Sequence, residues 1–181
     1  MKNITLAGAT LALIIASGSA LAAPAAGSFG INVGFTQPTA LTSGTPTNFM
    51  VNGKYFISKD TAVLAGVGLV MADSGAATNS KSTDIGFQVG FRKYMKTEDF
   101  APFVGGRLQY VSTRQWPNDV TDFFLGVEGG AEYFLGKQFS LEGSVGFGYA
   151  SSDSKGVVSG ISTKATYFGT TSLNVSANFY F

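Results

Sequence analysis

The 181-residue chain contains no cysteine and no histidine. The first absence rules out disulfides, thiolate chemistry and Cys-based metal sites. The second removes the most common general base and the most common metal ligand. Charge is also scarce, at 13% of residues, and the 12 Lys and Arg nearly balance the 11 Asp and Glu. Such a balance gives no electrostatic footprint for nucleic acid, so no nucleic-acid partner is expected. Beyond the first 22 residues, no apolar run approaches the ~20 residues that a spanning helix needs. Glycine, by contrast, is abundant, with 24 residues, and aromatic residues make up 13%.

The opening "MKNITLAGATLALIIASGSALA" has the three parts of a cleaved export leader. Lys2 supplies the positive start, residues 4 to 16 the apolar stretch, and Ala20-Leu21-Ala22 the small-x-small cleavage site. The apolar stretch is too short for an anchor, and no cysteine follows it for lipidation. The expected organisation is a signal peptide over 1–22 and one domain over 23–181. Lys2 departs with the leader, leaving the exported domain formally neutral.

That domain alternates between apolar and polar residues with period two, the pattern of strands with two unlike faces. In "SLNVSANFYF", Leu173, Val175, Ala177, Phe179 and Phe181 share one face, and Ser172, Asn174, Ser176 and Asn178 the other. Seven earlier segments repeat the pattern, among them "FGINVGF", "IGFQVGFR" and "FSLEGSVGFGY". The connections after the second, fourth and sixth strands are short, at 58–61, 95–101 and 136–138. Those after the odd strands are longer and rich in Ser, Thr, Gly, Asn and Pro: "TQPTALTSGTPT", "ADSGAATNSKST", "STRQWPND" and roughly 151–166. Residues Ile161, Thr163, Ala165 and Tyr167 are expected to continue the outward parity of the last strand.

A soluble β-sandwich or barrel would carry Lys, Glu and Asp on its polar face. Here that face carries mainly Gly, Asn, Ser and Gln, which suits the interior of a membrane barrel. Ten residues at ~3.3 Å rise and ~40° tilt cover roughly the 25 Å apolar band of an outer membrane. Phe35, Phe49, Tyr110, Tyr133, Phe139 and Phe181 are candidates for aromatic girdles. The predicted fold is all-β: a closed eight-stranded antiparallel up-and-down transmembrane β-barrel.

The segments "APFVGGRLQY", "GVEGGAEYFLGKQFSLEGSVGFGY" and "NFYF" carry a resemblance over the whole exported domain. The chain resembles the small eight-stranded outer-membrane β-barrel proteins, the group of opacity-type proteins, outer membrane protein X and the membrane domain of outer membrane protein A. The resemblance implies an outer-membrane location with both termini periplasmic, and a role in envelope integrity, adhesion or surface recognition. It also implies outer-membrane lipid and lipopolysaccharide, the barrel assembly machinery and periplasmic chaperones as partners. A host or surface ligand would engage the long loops, and the protein would be a monomer. In this group a final Phe on an alternating strand resembles an assembly signal, here Phe179 and Phe181. No peptidoglycan-binding domain is expected after Phe181.

Six charges fall on the inward face: Lys54, Arg92, Arg107, Glu128, Glu132 and Glu142. A three-residue turn at 136–138 would set Leu135 opposite Phe139 and hence Glu132 opposite Glu142. Two ionised carboxylates so placed need a cation between them, and Arg107 and Arg92 are the expected partners. A paired-carboxylate catalytic site is the competing reading. A structural plug is preferred, because eight strands leave room only for side chains. No catalytic, cofactor or metal site is expected. The Gly-x-Gly of "AGVGLV" precedes no helix and so makes no phosphate loop. Trp116, the only tryptophan, is a possible surface contact or a residue packed at a loop base. The leading functional expectation is a plugged barrel with a structural, adhesive or surface-interaction role. The alternative is a narrow channel for small or apolar solutes. A lipid-modifying enzyme is a third reading, disfavoured because the small-barrel acyltransferases and deacylases use a histidine.

Overall fold

A computed structural model describes residues 24–38, 48–73, 81–115, 118–156 and 160–181. The proposed leader lies outside them, as do Trp116 and most of the first two long loops. Eight strands follow in order: β1 (Phe29–Pro38), β2 (Asn48–Ser58), β3 (Thr61–Asp73), β4 (Lys81–Tyr94), β5 (Phe100–Gln115), β6 (Asn118–Gly136), β7 (Phe139–Gly156) and β8 (Ser162–Tyr180). Each pairs antiparallel with its neighbour, and β8 pairs with β1 from Gly30↔Tyr180 to Pro38↔Ser172. The sheet is thus a closed eight-stranded up-and-down barrel. Closure leaves no sheet edge, which matters in hydrocarbon because an unsatisfied backbone group there costs several kcal/mol.

The two faces follow the alternation. Val67, Leu69 and Met71 on β3 are 60–71% exposed, and comparable apolar side chains on every strand form an outward belt. An apolar surface of that extent suits lipid contact. Tyr110, Tyr133 and Phe181 stand exposed in this belt, while Phe139 is half-buried against Phe179 with ring centroids 5.1 Å apart. The side chains of Phe35 and Phe49 are not among those described.

Three expectations are corrected. The β6–β7 connection is only Lys137 and Gln138, because Gly136 pairs with Phe139 and a bulge at Leu135 absorbs the extra residue. Glu132 still stands opposite Glu142. Second, much of the expected loop around "STRQWPND" and of 151–166 is strand, since Ser- and Thr-rich segments extend the ladder above the apolar belt. Third, the parity of upper β8 is reversed. Gly146 pairs with Ser172 but Phe147 with Thr170, so one extra residue bulges at position 171. Tyr167 therefore shares the inward face, while Phe168 is 70% exposed and packs edge-on to Phe147.

β1–β4 span 10 to 14 residues and β5–β8 span 16 to 19.

Candidate functional site

The lower end of the lumen is closed by aromatic rings. Phe56, Tyr94, Phe103, Phe134 and Tyr180, with Ala62 and Ala101, are all buried. Phe56 stacks on Tyr94 at 5.4 Å, Tyr94 meets Phe103 at 5.5 Å, and Tyr180 contacts both Phe56 and Phe134 at 5.9 Å. Each sits two or four residues from an inward polar residue: Phe56 beside Lys54, Tyr94 beside Arg92, Phe134 beside Glu132. Strand parity thus carries the signal for this floor, although the alternating pattern alone suggested a purely small and polar interior.

The two tyrosine hydroxyls point from the floor into an ion network. Lys54 Nζ lies 2.9 Å from Glu132 Oε2 and 2.8 Å from Glu142 Oε2. It also donates towards the hydroxyls of Tyr94 and Tyr180, at 3.3 and 3.2 Å. Tyr94 donates to Glu132 Oε2 at 2.7 Å, and Tyr180 and Ser140 both donate to Glu132 Oε1. Arg92 donates through Nε to Glu128 at 2.5 Å and through Nη1 to Glu142 at 2.6 Å. Its guanidinium lies 4.3 Å from the centroid of the Phe103 ring. The cation between Glu132 and Glu142 is therefore Lys54, not an arginine. β2 faces β6 and β7 across the lumen, and a compact ammonium fits where several oxygens converge. Arg107 stands further off, 3.9 Å from Glu128, and donates to Ser172 Oγ at 2.5 Å.

Three cations and three anions give a neutral, almost fully buried cluster. Compensation of this kind is needed, because an unpaired buried charge is strongly unfavourable. Inward glycines provide the room. A Cβ at Gly105 would press on Arg92 Cγ, one at Gly130 on the Phe103 ring, and one at Gly30 on the Tyr180 ring. Beside the ions runs an amide and hydroxyl layer. Asn32 donates to Ser176 and Asn178 at 2.7 Å each, and Asn178 donates to Ser140 at 3.0 Å.

Outside the lumen, the β2–β3 turn has its own pair. Lys93 lies 2.7 Å from Asp60 Oδ2. Hydrogen bonds from Lys93 and then Ser58 hold the Asp60 carboxyl well below the usual carboxylate range. Among the described residues, no group of three or more acidic side chains converges as a metal centre would require.

No protein-family model matches the chain, and no curated protein matches it. Its structural neighbours are small outer-membrane β-barrel proteins, the fold group that the sequence resembles. Outer membrane protein OprG from Pseudomonas aeruginosa superposes with a TM-score of 0.58 at 14% identity, covering 88% of this chain and 98% of that one. Outer membrane protein AlkL, determined in DMPC lipid bilayers, gives 0.58 at 16% identity over 91% of this chain and 94% of its own. The E. coli outer membrane protein W gives 0.50 at 15% identity over 87% and 99%. At these identities the likeness concerns the fold.

Proposed function

We propose that this chain is an exported outer-membrane barrel whose lumen is sealed, and that it works through its outer surface and loops. One observation carries the reading: Lys54 and Arg92 clamp three buried glutamates directly above an aromatic floor. Side chains that fill the cross-section leave no path for solutes and no cleft for a substrate. The role is then structural, adhesive or surface-interacting, and not catalytic. In this reading residues 1–22 are the leader, both chain ends face the periplasm, and the upper ends of β5–β8 lie on the outside. Lipid and lipopolysaccharide are its surroundings, and Phe179 and Phe181 are contacts for the assembly machinery. Proteoliposomes carrying the refolded barrel should swell in isotonic small sugars or amino acids no faster than protein-free liposomes. Swelling that tracks the protein dose would favour the narrow-channel alternative.

A further inference from the structure

The upper lumen differs in electrostatics from the neutral network below it. Asp84 on β4 and Thr113 on β5 are cross-strand partners, each only 5% exposed. Asp84 Oδ1 and Thr113 Oγ1 are both buried without a hydrogen-bond partner. Two residues further down β5, Val111 pairs with Asp122 of β6, which has the inward parity of Phe124 and Glu128. Asp84 and Asp122 therefore flank β5 on adjacent strands and face the same space. Among the described residues, the inward cation next below them on β5 is Arg107, four residues beneath Val111, and its partners are Ser172 and Glu128. The basic residues of the upper described strands, Lys81, Arg114, Lys155 and Lys164, all take the outward parity and are exposed. A buried carboxylate oxygen without a donor is costly; Asp84 Oδ1 has none within the protein, whereas Asp122 accepts a hydrogen bond from Ser152, its cross-strand partner on β7.

We propose that Asp84, Thr113 and Asp122 bind a hard divalent cation of the calcium type in the upper lumen. Every donor is oxygen and two are anionic, the set that suits calcium rather than a softer metal. Calcium also accepts irregular geometry and completes its shell with water and carbonyl oxygens. Two carboxylates make a weak, exchangeable site, with an affinity of the order of 10⁻⁴ to 10⁻³ M, typical of extracellular calcium modules. The inference is independent of whether the lumen below is sealed.

The test uses the full barrel refolded in zwitterionic detergent free of lipopolysaccharide. Its urea midpoint is measured with calcium chloride against sodium chloride of equal ionic strength. At a calcium concentration about ten times the dissociation constant, the folded-to-unfolded ratio should rise about elevenfold. Asp84→Asn and Thr113→Val should lose most of that increment. Asp153→Asn should keep it, since Asp153 lies on the outward face and accepts from Ser162. Should Asp84→Asn fail to refold, Thr113→Val and Asp122→Asn decide. A wild-type midpoint that calcium does not move beyond sodium would overturn the proposal. So would an increment that persists in the variants that refold.

Discussion

Lys54 is the residue on which the interior turns, because among the described residues its ammonium is the only cation that touches both Glu132 and Glu142. Replacing it with Met keeps the stem's volume but leaves Glu132 with no cation and Glu142 with Arg92 alone. Breaking a buried pair in this way typically costs about 3 to 5 kcal/mol. Lys54→Met should therefore lower the urea midpoint in detergent markedly. Arg107→Leu should cost less, since Arg107 makes one long contact to Glu128 and one hydrogen bond to Ser172. Equal losses in the two variants would show that the network does not centre on Lys54. The sequence disclosed which charges face inward, because parity along a strand is a local property. It did not disclose that Lys54, rather than Arg107, reaches the carboxylate pair. That contact crosses the lumen, and which side chains meet there depends on barrel stagger and side-chain reach, neither of which the alternation encodes.

At the scale of the element, β8 is held along both sides, by β7 and by β1, and the backbone N–H of Phe181 donates to the Phe29 carbonyl at 2.8 Å. Phe181 itself is 76% exposed, on the apolar face it shares with Phe179. Phe181→Ala should therefore remove no more than about 1.5 to 3 kcal/mol of burial. If the pair is read during assembly, outer-membrane yield in cells should fall far more than the unfolding midpoint of the same variant refolded in vitro. Parallel losses, or a normal yield, would contradict that role. The lower part of β8 was fully legible, since every residue from 172 to 181 keeps one parity. The upper part was not. A one-residue bulge at position 171 exchanges the faces, and Tyr167 and Phe168 are both aromatic, so the pattern gave no sign of the switch. The long hairpin walls were anticipated only for the start of β8, for a related reason: Ser and Thr serve both in loops and in strands exposed to water.

For the whole molecule, the order of eight strands, the closing β1–β8 pair and the belt of outward apolar residues were all foreshadowed by period-two alternation and by alternating connection lengths. The length of β5–β8 was not, because it depends on how far polar strands continue past the apolar belt. The proposed orientation places the β2–β3 turn in the periplasm. A membrane-impermeant amine reagent on intact cells should then reach Lys155 and spare Lys59, and labelling of Lys59 would invert the topology. The sealed lumen is the central claim, and planar-bilayer conductance of the purified barrel tests it most directly. A neutral ion network over a floor of buried Phe56 and Phe134 predicts a baseline indistinguishable from lipid alone. Regular unitary steps from the wild-type protein would contradict it.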